Sequence, residues 1–300
     1  MIYGDIVVEM NLDSLFSYHK EKESTGTIVA HPNDHPHESV LLKINEDNRI
    51  LEILKKEKRK PGFYRNMVPA AIYCFNPDVF NYIEPLKKQE FINDVFPGMI
   101  RSGVSLFAYN TTEYLRDMGT PQRFEMAERD IENGLMAKMN KQFKRPAVFF
   151  DRDGVLNHEI LETGVTSQND LSLIPVAPRA VKAVNEHSWL TIVVTNQPQL
   201  AKGYTSFEEL DKIHAKLETL LGYEGAKLDR IYFCPHHPET GFEGEVSKLK
   251  IDCECRKPRA GMIRKATVEL PVDLEKSIMI GDTWRDVDAA REVGIPLLGV

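Results

Sequence analysis

The sequence predicts an α/β protein whose C-terminal half is built on a parallel sheet, and three observations predict it. Four short apolar runs, AVFF (147–150), TIVV (191–194), IYF (231–233) and SIMI (277–280), are separated by helical patterns, the alternation expected of strands buried on both faces. Each run leads into residues that carry chemistry: Asp151 and Asp153, Thr195 and Asn196, Cys234 and His236, Gly281 and Asp282. In parallel sheets the ligand crevice lies beyond the carboxyl ends of the strands. Finally, 300 residues with 42% apolar and 28% charged composition suit a globular chain of about two domains.

In chain order, the first portion alternates strand-like runs (TIVA, AAIYCF, VSLFAYN) with loops and helical stretches. From Thr120 the pattern predicts a connecting helix. Thr120 is placed as N-cap and Pro121 at the first helical position, with Phe124, Ala127, Ile131, Leu135 and Met139 at helical spacing. The Lys-Arg-Pro at 144–146 ends it, since proline disfavours helix in the residue before it. The expected domains are therefore 1–140 and 146–300. In the second, SFEELDKIHAKLETLL opens with a Ser206/Glu209 capping box, and GIPLLG before Val300 reads as a last strand.

A net charge of −7 argues against binding nucleic acid, whose phosphates demand clustered Lys and Arg, while a locally positive site still suits a small anion. No apolar run reaches the ~18 residues of a membrane span and the N-terminus lacks a signal-peptide layout, so a cytoplasmic location is expected. Disulfides are then not expected, and Cys74 in AAIYCF reads as a core thiol. His31, His35 and His37, interleaved with Pro, Asn and Asp, read as a polar turn-rich loop, and KKEKRK (55–60) as a solvated charged one.

The stretch DRDGVLN (151–157) places two carboxylates one residue apart at a strand end. Like charges held close repel unless a cation offsets them. With a divalent cation and a positive side chain at the phosphoryl group, an aspartate can attack a phosphate ester. Asp151 is the nucleophile in this reading, and Asp153 protonates the leaving oxygen and later activates water. GDTWRD brings Asp282, and with it Asp286, toward Asp151. Lys257 in CRKPRAG neutralises phosphate charge, and Thr195 and Asn196 donate to phosphate oxygens.

DRDGVLN, TNQ, RKP and GDxxxD, in this order and at strand ends, resemble the four motifs of the haloacid dehalogenase-like (HAD) phosphatases. The resemblance implies a Rossmann-like domain with Asp151, Asp153, Thr195 and Lys257 catalytic, Asn196 and Arg256 binding substrate, and Mg2+ on Asp151, Asp153 and Asp282. CPHHP followed by CEC adds Cys234, His236, Cys253 and Cys255, three thiolates and an imidazole suited to tetrahedral Zn2+. Placed just before RKP, this set resembles the zinc-loop subgroup that contains heptose-bisphosphate and histidinol-phosphate phosphatases. That resemblance implies a structural Zn2+, no large cap, and His236 ranked over His237 as ligand. TNQPQLAKG departs from the Ser-Gly-Ile-Ala-Arg-Gly of many relatives, which puts Gln199 and Lys202 where selectivity can change, or merely on a surface loop.

MIYGDI and TEYLRDMGTP, with HPNDHPHESVLLKINEDNRI and NMVPAAIYCFNPDVF between them, resemble sugar-1-phosphate nucleotidyltransferases, and imply Asp5 and Asp117 as a Mg2+ pair. That family begins with a strand and a Gly-rich phosphate-cradling loop. The expectation is therefore an incomplete α/β domain that does not transfer nucleotides and exposes a sheet edge. A nucleotidyltransferase-like portion joined to a zinc-loop phosphatase fits consecutive steps of nucleotide-heptose synthesis. The expected substrate is thus a small phosphorylated sugar, D-glycero-D-manno-heptose 1,7-bisphosphate (α-anomer), losing its 7-phosphate. Histidinol phosphate, a nucleic-acid 3′-end phosphate and a purely binding role for the N-terminal half are the alternatives.

Overall fold

Apolar runs become strands wherever both faces can be covered, and the computed structural model, which describes residues 1–300, divides accordingly into units Met1–Phe143 and Lys144–Val300. In the first unit β1 (Ile6–Glu9) precedes α1 (Leu12–Glu21), β2 (Gly26–His31), the hairpin β3 (Leu41–Ile44) and β4 (Ile50–Leu54), and β5 (Val68–Phe75). Then come α2 (Phe96–Arg101), β6 (Leu106–Asn110), β7 (Tyr114–Asp117), α3 (Pro121–Glu132) and α4 (Leu135–Lys138). β2 is central, antiparallel to β5 and parallel to β6, while β1 pairs with β7. Buried Ile28, Phe96, Met99 and Leu106 anchor the core, and Tyr73, Phe75 and Phe91 pack with Phe96 at ring separations of 5.1–5.8 Å.

Two expectations for this unit are corrected. The outer side of β5 is not open: Tyr73 N donates to Met1 O and Tyr3 N to Ala71 O, while Ala108 N of β6 donates to Asn48 O. Part of the outer edge of each flanking strand is thus covered, by residues 1–3 on β5 and by Asn48 on β6. The connecting helix is also not continuous. Thr120 does cap α3, accepting from Arg123 N, but the chain turns at Gly134 with φ +66°, the left-handed geometry that stops helices. Phe124 and Ile131 remain 53% and 52% exposed, so Ala127 alone of the predicted stripe on α3 is buried. Asp34 pairs with His35 at 2.6 Å, KEK (56–58) forms an exposed turn, and burial pushes the Cys74 thiol up.

The second unit is a five-stranded parallel sheet, β8 (Ala147–Phe150), β9 (Leu190–Asn196), β10 (Arg230–Cys234), β11 (Ile278–Gly281) and β12 (Leu297–Gly299), in the order β10-β9-β8-β11-β12. Helices α5 (Ala177–Glu186), α6 (Phe207–Tyr223), α7 (Gly261–Glu269) and α8 (Trp284–Glu292) supply the crossovers. Because side chains alternate along a strand, Phe149 packs with Met262, Ile263, Ala266 and Ala289 on one face, while Val148 and Phe150 pack with Val181, Ile213, Leu217 and Leu221 on the other. Ser206 caps α6, accepting from Glu209 N, but the expected capping box does not close, because the Glu209 carboxylate accepts from Gln168 N instead. No helix is long and apolar enough to cross a membrane.

Asp229 ties the entries of β9 and β10 together, accepting from Thr191 N at 2.8 Å and lying 3.3 Å from Lys227 Nζ. Burial alone would raise its pKa, but Lys227 and the Thr191 backbone amide hold it below the usual carboxylate value. A depressed folded-state pKa contributes stability that is present above the unfolded-state value near ~4 and lost as pH falls through the folded one. We expect Asp229→Asn to destabilise the chain by about 2–4 kcal/mol at pH 7 and to flatten its acid-unfolding profile below pH ~4. Denaturant melts at pH 7 and pH 3 check both.

Candidate active site

Strand β8 lies between β9 and β11, so the chain departs to opposite sides of the sheet there and leaves a crevice at the carboxyl ends. Asp151 follows β8 directly, Thr195 and Asn196 end β9, and Asp282 follows β11. Two glycines permit the close approach. A Cβ on Gly281 would stand 2.4 Å from the Cβ of Asp286, and Gly154, at φ +82°, turns its bare Cα toward Asp282.

Asp151, Asp282 and Asp286 gather their carboxylates within 4.8 Å of one another. Lys257, almost fully buried, stands with its ammonium 2.7 Å from Asp151 and 2.6 Å from Asp286. Asp286 uses its second oxygen to accept from Thr283 N and Oγ1, completing a capping box at the start of α8. Burial pushes Asp151 up to about 6 against the pull of Lys257, with Asp286 and Asp153 adding to the rise. Burial also raises Asp282, reinforced by Asp286. Burial works against the Lys257 charge, yet its two carboxylate partners hold it above the ordinary lysine value. Three acidic oxygens facing one lysine match the hard-ligand preference of Mg2+.

The Asp153 side chain lies outside that group. Its Oδ1 accepts from Arg152 and Asn157, and its Oδ2 from Arg152 and Gln197, all at 2.9 Å. Burial alone would raise it, but Arg152, Asn157 and Gln197 hold it below the ordinary value. Asn196 is also turned away from phosphate: Nδ2 donates to Lys257 O at 3.0 Å and Oδ1 accepts from Lys257 N at 2.9 Å. Its amide therefore places the lysine's backbone. Arg256 donates to His236 O. Gln199 is buried with its amide against Gly164, and Lys202 lies 4.6 Å from the Phe242 ring centroid.

Arg152, Asn157 and Gln197, all 0% exposed, were missed as site residues. Arg152 and Asn157 lie inside DRDGVLN and Gln197 inside TNQ. The available signal was three polar side chains adjoining buried strands, which must find partners.

The second cluster forms as spaced. The Sγ atoms of Cys234, Cys253 and Cys255 lie 3.2–3.5 Å apart, too far for a disulfide, and His236 Nδ1 is 3.4 Å from Cys255 and 3.8 Å from Cys234. The close contact between the two thiols pulls Cys255 down to about 5 and pushes Cys234 up. Separations near 3.5 Å approach the edges of a tetrahedron with ~2.3 Å Zn–S bonds, so the donors fit Zn2+. His237 turns instead onto Phe242. In the first unit Asp5 and Asp117 occupy the same end of the β1/β7 ladder, where Met118 N donates to Asp5 O, and Arg123 pairs with Asp117 at 2.6 Å.

Residues 1–134 match the nucleotidyl transferase family model and residues 254–300 the HAD-hydrolase-like model. A D-glycero-β-D-manno-heptose-1,7-bisphosphate 7-phosphatase of Rhodopseudomonas palustris is 36% identical over 153 residues, which is 51% of this chain and 82% of that protein. A D-glycero-D-manno-heptose-1,7-bisphosphate 7-phosphatase of Thermosynechococcus vestitus is 39% identical over 50% of this chain and 76% of its own length. The crystal structure of a D,D-heptose 1,7-bisphosphate phosphatase from B. bronchiseptica, complexed with magnesium and phosphate, is similar at 32% identity and a TM-score of 0.44, covering 50% of this chain and 78% of that one. With this identity sustained over most of the curated relatives' length, the chain belongs to the HAD-like heptose-bisphosphate phosphatase family.

Proposed function

We propose that the second unit is a Mg2+-dependent phosphatase that removes the 7-phosphate of D-glycero-D-manno-heptose 1,7-bisphosphate through an aspartyl-phosphate. The observation that carries the reading is Lys257 held between Asp151 and Asp286 at the mouth of the sheet crevice. A Mg2+ ion held by Asp151, Asp282 and Asp286 would offset the negative charge of the phosphoryl group facing an anionic nucleophile. A carboxylate oxygen of Asp151 forms the bond to phosphorus as the bond to the sugar oxygen breaks. Asp153 carries a proton to that leaving oxygen and later takes one from the water that hydrolyses the acyl phosphate; since Arg152, Asn157 and Gln197 hold it ionised at rest, it must turn out of their grasp to do so. Lys257 and the Thr195 hydroxyl stabilise phosphoryl charge. Asn196 contributes by fixing Lys257 rather than by touching substrate.

The relatives' names support the sugar bisphosphate as substrate. A nucleotidyl transferase segment at 1–134 suits a later coupling of the anomeric phosphate, which either anomer keeps; the α-form is our reading alone, and seven relatives are named for the β-anomer. The Cys234, His236, Cys253, Cys255 set holds a structural Zn2+ in this reading.

The test is phosphate release from both heptose bisphosphate anomers and from histidinol phosphate with Mg2+ supplied. Turnover of the α-bisphosphate at least tenfold above the β-form supports the full reading. Preference for β keeps the phosphatase and overturns the α-anomer, and preference for histidinol phosphate overturns the substrate.

A further inference from the structure

Gln197 is fully buried at the end of β9, and its side chain meets three residues of the site at once. Its Oε1 accepts from Arg152 Nη2 at 2.9 Å. Its Nε2 lies 2.9 Å from both Asp153 Oδ2 and Thr195 Oγ1. The two ends of an amide are interchangeable in outline, but here chemistry assigns them. A guanidinium only donates, so the atom facing Arg152 must be the oxygen. The two N–H hydrogens of Nε2 are then both spent, one on the Asp153 carboxylate and one on the threonine oxygen.

The consequence lies in the direction of the second bond. Because Thr195 Oγ1 receives a hydrogen from Gln197, its own O–H is left to donate elsewhere, as a phosphoryl oxygen requires. The same amide holds one oxygen of Asp153, whose other oxygen is held by Asn157 and Arg152. Gln197 itself is anchored from the backbone, where its N–H donates to Cys234 O at 2.7 Å, and Arg152 is buried with its Nη1 3.4 Å from His214 Nε2.

We propose that Gln197 is a positioning residue for the phosphatase reaction, which orients the Thr195 hydroxyl as a donor to the phosphoryl group and holds Asp153 at rest as a carboxylate. The inference rests on the reading of Asp151 and Asp153 as nucleophile and proton carrier. Gln197 touches no reacting atom; it acts through its two neighbours.

The test uses the full chain with Gln197→Met, which keeps length but cannot hydrogen-bond strongly, and Gln197→Glu, which still accepts from Arg152 but supplies no donor. We expect kcat to fall by about 10- to 100-fold in both with KM changed by less than about threefold, since the lost hydrogen bonds matter most as charge develops. In a Thr195→Val background the same Gln197→Met change should cost at least about threefold less than in the parent, because one of its two targets is gone. Equal losses in both backgrounds, or full activity in both Gln197 variants, would overturn the proposal. If Gln197→Met proves unstable to heat, Gln197→Glu carries the comparison. A parent chain that releases no phosphate from the bisphosphate sinks the phosphatase reading instead, so the two failures are distinguishable.

Discussion

We expect Asp151→Asn to release phosphate at least about 10⁴-fold more slowly than the parent chain while keeping the fold. An amide of the same shape offers no anionic oxygen to phosphorus, so covalent catalysis is lost rather than weakened. The fold survives because the variant removes a buried carboxylate from a site crowded with them. Lys257 keeps Asp286 at 2.6 Å, and Asn196 still holds its backbone. The measurement pairs phosphate release at saturating bisphosphate with a thermal melt. Equal turnover by the variant would remove Asp151 from the chemistry; a melt lowered by more than about 10 °C would show the carboxylate to be structural. A binding-only role for the chain predicts no activity in either protein.

The second large effect concerns the sulfur cluster. We expect the purified protein to carry about one Zn2+ per chain. Removal by a strong chelator, or substitution Cys255→Ser, should lower the melting temperature by roughly 10 °C, which at ~2–4 °C per kcal/mol is a loss of about 2.5–5 kcal/mol. Cys234 belongs to the core on one face of the sheet, and Cys253 and Cys255 pack against that same core. Losing the ligand set therefore loosens one sheet face as well as a surface loop. Elemental analysis and calorimetry check this, and a metal-free protein with an unchanged melt after chelation would sink it. His236→Ala should behave like Cys255→Ser, whereas His237→Ala, which removes a ring packed on Phe242, should retain the metal.

The residues that proved legible in the sequence share one property: their position is set by where a strand ends. Asp151, Thr195, Cys234 and Asp282 each follow from an apolar run, and the parallel sheet does the rest. Asn196, Asp153 and Gln197 were not legible in that way, because their roles depend on which way a side chain turns at the strand end. Asn196 turns to the Lys257 backbone and Gln197 to Arg152, Asp153 and Thr195, choices that pairwise spacing does not encode. The connecting helix failed for a local reason. The apolar period runs past Glu132, but Gly134 adopts a left-handed backbone that the period does not register.

The hold of Asn196 on the Lys257 backbone reaches beyond the lysine. At the other end of the intervening segment Cys234 lies beside Asn196 in the β10/β9 register, and Gln197 N donates to Cys234 O. Residues 235–256 thus leave beside Asn196 and Gln197 and return to Asn196, a closed excursion with both ends held at the end of β9. Closing a longer loop costs only about 0.6 kcal/mol per doubling. Between the ligand pairs, residues 237–252 are in effect an interchangeable cassette: that part can be lengthened, shortened or reshaped to suit a different substrate while the sulfur cluster, Lys257 and the nucleophile keep their places.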